Sequence, residues 1–388
     1  MRVLIVSSSY PRDAQDWRGR FIADIVEHLA ARPEVELALW APPGVRPAGV
    51  ADATGVEEAN WLSRLADMGG IAHALRSNPV RGIAAAAGLL RRLRAAYRRC
   101  PPVDVVHVNW MQNALPLGGT RLPALITVLG SDFGMLRLPG MKGALRRVLG
   151  ERRCILAPNA QWMVATLERE FGGVAAVRPI PFGVDERWFS VNRPGDAAEG
   201  QSWLAVTRIT RAKLGSLLAW GERCFDGNRK LHLFGPRQER LELPSWVHHH
   251  GPIDPVTLRE SWFPKATGLL TLSTHDEGRP QVVLEAMAAG LPVVVSDLPA
   301  HRDVVAHGAT GWIVRDADEL AAALSAIEVG GTNREIGGAA RRWVAENIGT
   351  WADCAARYAD AYRWLTDGAA LAHEAPRSPP EHRNGARD

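Results

Sequence analysis

The chain has 388 residues, of which 46% are hydrophobic and 23% charged, a composition typical of a globular protein that is long enough for two domains. No apolar run reaches the roughly 18 to 20 residues of a membrane helix, so we expect no membrane-spanning segment. The net charge of +4 is a mild excess that does not indicate a nucleic-acid partner.

Short apolar runs alternate with helix-like segments in the first half of the chain. In chain order the runs are VLIVSS, VELALWA, VDVVHVNW, ALITVLG and CILAPN, and the amphipathic segment RFIADIVEHLAAR follows the first of them. Such alternation is typical of a parallel sheet covered by helices. We therefore predict an α/β domain over residues 1–185.

Two basic clusters lie within this first half. One combines Leu89, Leu90, Leu93 and Tyr97 with the basic residues Arg91, Arg92, Arg94, Arg98 and Arg99, and the other contains Lys142, Arg146, Arg147, Arg152 and Arg153. A basic amphipathic helix is typical of contact with anionic lipid headgroups. The alternative is that the arginines only cover outer helix faces with charge.

The second half repeats the alternation. Two prolines and a glycine in RPIPFGVDERWF mark the boundary; the apolar runs SWLAVTR, KLHLFG, ATGLLTLS and LPVVVSD follow, with helix-like AWGERCF, DPVTLRESW and RPQVVLEAMAAG between them. This predicts a second α/β domain over residues 186–349. The segment 350–370 is expected to form a final amphipathic helix, and residues 371–388 a disordered tail.

The segment DEGRPQVVLEAMAAG carries two carboxylates beside a helix start. Glu277 follows a predicted strand, at the sheet edge where ligands bind, and Pro280 suits a first helical turn, where free N–H groups near Gly278 attract phosphate. Glu285 lies in an apolar run, where a buried acid needs a polar partner. A nucleotide sugar, with phosphates and hydroxyls, fits this mixture. The alternative is a favourable N-terminal acid and a solvated helix residue.

These motifs resemble the retaining glycosyltransferase family 4, whose members have the GT-B fold. The resemblance is carried by the glutamate pair followed by AMAAGLPVVVSD, by TRITRAKLG with Arg208 and Lys213, by IPFGVD, and by YPRDAQDWRGRFIADIVEHLA, in which a single Gly19 precedes Phe21. It extends over most of the chain. The resemblance implies an α/β fold of two Rossmann-like domains with an interdomain cleft: an acceptor domain, a donor domain and a C-terminal helix that packs back toward the first.

The resemblance also implies roles for individual residues. Arg208 and Lys213 would hold the donor diphosphate and stabilise it as leaving group, and Glu277 would accept hydrogen bonds from the donor sugar. The residues implied in donor binding are Gly19, Asp132, Gly278, Arg279, Pro280 and Glu285, with Glu285 on the ribose hydroxyls. No metal or other cofactor is expected, because cationic side chains can take the place of a metal. For Arg208 and Lys213 the alternative is a solvated basic turn.

One position departs from the family pattern. The family's first-domain loop usually reads His, Gly, any residue, Asp, whereas this chain has TVLGSD, with Leu129 in place of the histidine. His107, in VVHVNW, lies at another strand and is interpreted as structural. Either the donor sugar differs at the group that the histidine would contact, or the activity is weakened.

Three functions therefore stay open. The first is a glycosyltransferase that moves a sugar from a nucleotide-diphosphate donor to a glycan or lipid-linked acceptor in cell-surface polysaccharide or glycolipid synthesis. The second is a donor-binding subunit with weakened catalysis, motivated by Leu129. The third is a nucleotide-sugar epimerase of the GT-B fold. We expect a cytoplasmic protein, with peripheral contact to the inner face of the plasma membrane through Arg91, Arg92, Arg94, Arg98 and Arg99 as an open alternative, and no nucleic-acid partner.

Overall fold

The structure is a computed structural model that describes residues 1–13, 16, 18–100, 102–193, 201–226, 228–275 and 277–367. These residues form two compact units, Met1–Phe182 together with residues 351–367, and Gly183–Thr350. The expected limits at 185/186 and 349/350 lie close to these divisions. The tail 371–388, which was expected to be disordered, lies outside the described residues.

The first unit contains a parallel sheet of seven described strands. They are β1 (Arg2–Val6), β2 (Glu36–Trp40), β3 (Ala51–Asp52), β4 (Val105–Asn109), β5 (Ala124–Val128), β6 (Cys154–Pro158) and β7 (Ala176–Val177), in the spatial order β3-β2-β1-β4-β5-β6-β7. The predicted strands are all present, and the short edge strands β3 and β7 are additional. All residues of β4, β5 and β6 are buried, as expected where helices cover both faces of a parallel sheet.

Helices cover this sheet on both sides. They are α1 (Arg20–Ala30), α2 (Val56–Asp67), α3 (Gly70–Ser77), α4 (Pro79–Arg99), α5 (Gly130–Leu136), α6 (Met141–Gly150) and α7 (Val164–Phe171), with short 3-10 segments at Met111–Leu117 and Gln161–Met163. The four buried apolar positions of α1, Ile22, Ile25, Val26 and Leu29, follow helical spacing. They join one of the two apolar layers that flank the sheet.

The second unit contains a parallel sheet of six described strands. They are β8 (Gln201–Val206), β9 (Arg229–Phe234), β10 (Val247–Gly251), β11 (Gly268–Thr271), β12 (Val293–Ser296) and β13 (Trp312–Val314), in the order β10-β9-β8-β11-β12-β13. The helices are α8 (Arg211–Leu214), α9 (Leu217–Gly221), α10 (Pro255–Thr257), α11 (Gln281–Ala288), α12 (Pro299–Arg302), α13 (Ala317–Ile327) and α14 (Gly330–Asn347). A π-helical turn, Leu258–Trp262, continues α10, and 3-10 turns lie at Glu186–Trp188 and Phe263–Lys265.

Each sheet has a point where the direction of winding reverses. In the first sheet this point lies between β1 and β4, and in the second between β8 and β11. Open parallel sheets bind ligands outside the carboxyl ends of the strands at such points. A ligand site is therefore expected in the loops that follow these four strands.

The last helix, α15 (Trp351–Asp367), belongs to the first unit and packs on α1. His107 of β4 is fully buried beneath it, with Nδ1 2.6 Å from the Tyr362 hydroxyl and Nε2 2.8 Å from Thr127 Oγ1. Burial lowers the pKa of His107 to about 3, so the ring is neutral. The structural role predicted for His107 is confirmed. None of the described helices has both the length and the apolar character needed to cross a membrane.

Candidate functional site

Two loops meet at the reversal point of the second sheet. The loop after β8 carries Arg208 and Lys213, and the loop after β11 carries Glu277. Backbone hydrogen bonds tie the loops together: Ser216 N donates to Leu272 O at 3.1 Å, and Thr274 N donates to Ala212 O at 2.9 Å. These bonds fix the positions of the side chains that the loops carry.

Gly215 makes the close approach of the two loops possible. Its φ is +53°, and a Cβ built on it would lie 1.9 Å from the carbonyl oxygen of Leu272. Residues with a Cβ rarely adopt that backbone conformation, and here a methyl group would also overlap the neighbouring backbone. Glycine is therefore required two residues after Lys213.

Lys213 and Glu277 form an ion pair at the centre of the site. Lys213 Nζ lies 2.6 Å from Glu277 Oε1, and the two side chains are only 17% and 14% exposed. The short helix α8 positions the lysine, because the Thr210 hydroxyl accepts a hydrogen bond from Lys213 N at 3.2 Å. The pair offers an ammonium group to an anion and a carboxylate to hydroxyl donors.

Arg208 lies on the same loop as Lys213. Its Nη1 is 3.4 Å from Gln238 Oε1, and Ile209 N donates to Pro236 O at 2.9 Å, so the start of the loop is held against the residues that follow β9. The structure thus places both predicted cations on one loop at this sheet edge, and Lys213 contacts the predicted carboxylate. Their binding of a diphosphate stays a prediction.

The residues before α11 complete the predicted set in this unit. Helix α11 begins directly after Pro280, and Glu285 lies half-buried one turn further along. The Arg279 side chain is almost fully buried and has Nη2 3.6 Å from Asp303 Oδ2. The Arg279 guanidinium thus faces Asp303 on the neighbouring loop. The predicted role of the Gly278, Arg279 and Pro280 backbone in lining a donor pocket stays a prediction.

His301 is a residue of the site that sequence reasoning missed. It is fully buried, with Nδ1 2.7 Å from Ser296 O, and the Ser296 hydroxyl donates to Ser273 O at 2.6 Å. Because a carbonyl only accepts, Nδ1 carries the proton, and Nε2 accepts no hydrogen bond from the described residues. Burial lowers the pKa of His301, although the bond to Ser296 O and the charge of Glu277 oppose this. The sequence signal was its place in SDLPAHRD, directly after the strand beside β11.

The predicted donor-binding residues of the first unit follow the ends of β1 and β5. Gly19 precedes α1 with a φ of +68°, and a Cβ there would lie 2.7 Å from Ser9 Oγ. Asp132 is 1% exposed; its carboxylate accepts hydrogen bonds from Leu129 N at 2.7 Å and from Met111 N at 3.2 Å. Burial raises the pKa of Asp132 to about 7. Both of its oxygens thus bind backbone within the unit, and a role in donor binding stays a prediction.

Only part of the first basic cluster is available to a partner. Arg91, Arg94 and Arg98 lie on the exposed side of α4. The Arg92 guanidinium lies 4.3 Å from the Trp61 ring. Arg99 pairs with Glu58 at 2.8 Å. The set of five arginines predicted to face a membrane is therefore reduced to three, Arg91, Arg94 and Arg98.

The second basic cluster is not a continuous surface. The Arg152 side chain is buried and donates to the carbonyl oxygens of Val148 and Leu117. Lys142 Nζ lies 2.9 Å from Glu170 Oε1. Arg152 is therefore not available to a partner, and the charge of Lys142 is balanced by Glu170. The remaining members of the cluster, Arg146, Arg147 and Arg153, are exposed.

Residues 216–328 match the family model described as Glycosyl transferases group 1. The matched segment includes Glu277, Glu285 and His301, whereas Arg208 and Lys213 precede it. No protein among the curated proteins matches the chain.

Solved structures that resemble the chain cover nearly all of it. Sucrose-phosphate synthase from Thermosynechococcus elongatus is 17% identical, with 95% of this chain and 100% of that chain covered and a TM-score of 0.69. HepE of Anabaena in complex with UDP-glucose is 16% identical, with 94% and 100% covered and a TM-score of 0.63. A trehalose-6-phosphate synthase is 13% identical, with 94% and 99% covered and a TM-score of 0.65.

The chain has the GT-B fold. This confirms the predicted fold class of two α/β, Rossmann-like units. The GT-B fold and the family match together support a glycosyltransferase. At these identities the structural likeness establishes the fold and carries no information on the sugar or the acceptor.

Proposed function

We propose that the chain is a retaining glycosyltransferase of family 4 that moves a sugar from a nucleotide-diphosphate donor to a glycan or lipid-linked acceptor, in cell-surface polysaccharide or glycolipid synthesis. The observation that carries the proposal is the Lys213–Glu277 pair at the reversal point of the second sheet, where the loop after β8 also carries Arg208. A diphosphate sugar is bound by cations that contact the phosphates and by a carboxylate that accepts hydrogen bonds from the sugar hydroxyls. This sheet edge offers both kinds of group.

The proposed reaction forms a bond between the acceptor oxygen and the anomeric carbon and breaks the bond from that carbon to the donor diphosphate. Negative charge develops on the departing diphosphate, where Arg208 and Lys213 stabilise it. The acceptor attacks from the face that the diphosphate leaves, and a phosphate oxygen takes the acceptor proton, so the configuration is retained. Two cationic side chains supply the neutralising charge, and we expect no requirement for a metal.

In the structure the Lys213 ammonium group is paired with the Glu277 carboxylate. When a donor diphosphate attracts the ammonium group, the Glu277 carboxylate becomes free to accept hydrogen bonds from the donor-sugar hydroxyls. Glu285, half-buried on α11, is assigned to the ribose hydroxyls. Lys213 and Glu277 would thus lose their ion pair on donor binding, and each would gain a contact with the donor.

The donor is tested by thermal unfolding with a panel of nucleotide diphosphates and nucleotide sugars, beginning with UDP-glucose because the HepE structure holds it. A ligand at a hundred times its Kd adds about 2.7 kcal/mol to the free energy of unfolding. We expect one nucleotide sugar to stabilise the wild type but neither Arg208→Ala nor Glu285→Ala. If none stabilises the wild type, the proposed donor site is wrong.

We further propose that α4 contacts an anionic membrane at the inner face of the plasma membrane. Arg91, Arg94 and Arg98 are exposed on α4, and Val80 and Ile83 near the start of the same helix are 78% and 64% exposed. Exposed apolar and basic side chains on one helix are typical of helices that lie in a lipid interface. A partner of this kind suits an enzyme with a lipid-linked acceptor.

Vesicle cosedimentation tests this contact. Changing Arg91, Arg94 and Arg98 to Gln together should abolish binding to phosphatidylglycerol vesicles. The charge-matched control changes Arg223, Arg240 and Arg342, which are exposed in the second unit, to Gln and should bind like wild type. Equal loss in both triple variants would indicate only a general charge effect.

A donor-binding subunit with weakened catalysis is the second candidate, and Leu129 favours it. Leu129 stands where the resembled family has histidine, and its N–H is held by Asp132 at 2.7 Å. A leucine side chain offers no hydrogen bond to a donor sugar. Transfer of sugar by the isolated chain to any acceptor would rule this candidate out.

A further inference from the structure

Trp110 is the only residue other than glycine with a positive φ in the described part of the chain, at φ 68° and ψ 130°. A residue with a Cβ disfavours this conformation by about 1–3 kcal/mol. Trp110 directly follows β4, at the reversal point of the first sheet. It is therefore a strained, half-buried aromatic residue at the edge where such sheets bind ligands.

The fold holds Trp110 in this conformation through hydrogen bonds on both sides. Trp110 N donates to Thr127 O at 3.2 Å, and Trp110 O accepts from Asn113 N at 3.1 Å. The preceding carbonyl, of Asn109, accepts from Asn113 Nδ2 at 2.8 Å, and the following N–H, of Met111, donates to Asp132 Oδ1 at 3.2 Å. The buried side chains of Asn113 and Asp132 thus both hold the backbone around Trp110.

Trp110 has an aromatic neighbour, and the residues around it in sequence carry amide oxygens without a hydrogen-bond donor among the described residues. Phe21 contacts the Trp110 ring edge to face, with centroids 6.0 Å apart. The amide oxygens of Asn109, Gln112 and Asn113 are buried and accept no hydrogen bond from the described residues. Ser8, half-buried, follows the neighbouring strand β1. The amide oxygens have no accessible surface, so the groups that a ligand could meet here are the half-buried Trp110 ring and the Ser8 hydroxyl. An aromatic ring and a hydroxyl group suit a ligand with C–H surfaces and hydroxyl groups, which is a sugar ring.

We propose that Trp110 is a rigid platform on which the sugar ring of the acceptor stacks. Asp132 and Asn113 are the residues that position Trp110. The proposal rests on the proposed transferase function, because only that function gives the first unit an acceptor. It also gives Asp132 a use that differs from donor binding. Asp132 acts on the sugar through the backbone of Trp110.

The test compares Trp110→Gly, Trp110→Phe and wild type for binding of the methyl glycosides of glucose, galactose, mannose and N-acetylglucosamine, measured by saturation-transfer NMR. We expect at least one glycoside to receive saturation on its ring C–H protons from wild type and from Trp110→Phe. The signal from Trp110→Gly should fall about tenfold. Because glycine accepts a positive φ without strain, Trp110→Gly should melt at or above the wild-type temperature.

Three results would overturn the proposal: no glycoside bound by wild type, an undiminished signal with Trp110→Gly, or a Trp110→Gly variant that melts well below wild type, which would make Trp110 a packing residue. Binding of the whole nucleotide-sugar panel by the same proteins separates this inference from the proposed function. Glycoside binding without any nucleotide-sugar binding would remove the transferase proposal and leave the platform, and the reverse result would remove the platform alone.

Discussion

The Lys213–Glu277 pair joins structure and proposed chemistry at the scale of single residues. With side chains 17% and 14% exposed, removal of one partner leaves a poorly hydrated charge, which typically costs several kcal/mol when a pair is buried. We expect Lys213→Met and Glu277→Gln each to lower the free energy of unfolding by about 1–3 kcal/mol. The double variant should lose less than the sum of the two.

Urea unfolding of the four proteins measures this coupling. Sugar transfer should fall at least a hundredfold in both single variants and should not recover in the double variant, because the site then lacks both groups. Additive losses of stability would show that the 2.6 Å contact contributes nothing in solution. A double variant with normal transfer would remove both residues from the mechanism.

Gly215 supports a second prediction at this scale. Gly215→Ala places a methyl group against the Leu272 carbonyl, 1.9 Å from an ideal Cβ, so the two loops must separate. We expect a loss of stability of about 2 kcal/mol or more, and loss of nucleotide-sugar binding, both read by thermal unfolding. Gly251→Ala is the matched control, because Gly251 also has a positive φ, +78°, but nothing lies within 4 Å of its Cβ. A Gly215→Ala variant no worse than this control would contradict the close approach.

The sequence predicts these residues unequally, for a physical reason. Arg208, Lys213 and Glu277 follow strands that the apolar runs reveal, and carboxyl ends of neighbouring parallel strands share one edge. The only sequence signal for His301 is its place directly after a strand, and Trp110 could not be predicted. His301 depends on the contact with Ser296 in three dimensions, and the strain of Trp110 depends on hydrogen bonds from residues up to 22 positions away in sequence, such as Asp132.

At the scale of elements, the edge strand β10 shows where apolar patterning fails. Its sequence is VHHHG, which does not read as an apolar run, yet it pairs with β9. His232 Nδ1 lies 2.9 Å from His250 Nε2, and the His232 and His250 rings both pack on Trp262 with centroids 4.9 Å apart. Val247 is the only buried residue of β10, so the strand carries almost no apolar pattern and was recognised only from the structure.

This cluster predicts a pH dependence of stability. Burial, and then the neighbouring His250, His248 and Lys230, lower the pKa of His232 to about 4, whereas an unfolded histidine titrates near 6.5. The stabilisation from neutral His232 is therefore complete above about pH 6.5. It is lost as the pH falls toward 4, since the unfolded chain binds the proton first.

Urea unfolding at pH 7, 6, 5 and 4 measures this effect. His232→Phe keeps an aromatic ring against Trp262 but removes the titration, so its stability should fall less steeply over this range than that of wild type. The difference in slope should be a fraction of the ~1.4 kcal/mol per pH unit that one full proton gives, because the ring is partly exposed. Parallel curves for the two proteins would show that His232 does not titrate in this way.

At the scale of the whole molecule, composition and alternation predict two α/β units, and the structure shows both, with a discontinuous first unit that ends in α15. The helix itself was predictable from its amphipathic pattern. The contacts of α15 with β4 and β5 were not predictable. They depend on hydrogen bonds of the Tyr358 and Tyr362 hydroxyls with Thr127 and His107, which lie more than two hundred positions away in sequence. Pattern within a segment predicts an element, and only the folded chain shows its partner.

The discontinuous first unit yields the last prediction. Removing residues 351–388 takes away α15, exposes the apolar layer against which Trp351, Tyr358 and Leu365 pack, and leaves the buried His107 without its Tyr362 partner. We expect the first unit to unfold in this variant while the second keeps its melting transition, because each unit has its own apolar layers. Removing residues 371–388 alone is the control and should leave both transitions unchanged. Differential scanning calorimetry distinguishes the cases, and an intact first transition without α15 would mean that the helix merely covers a unit that is stable by itself.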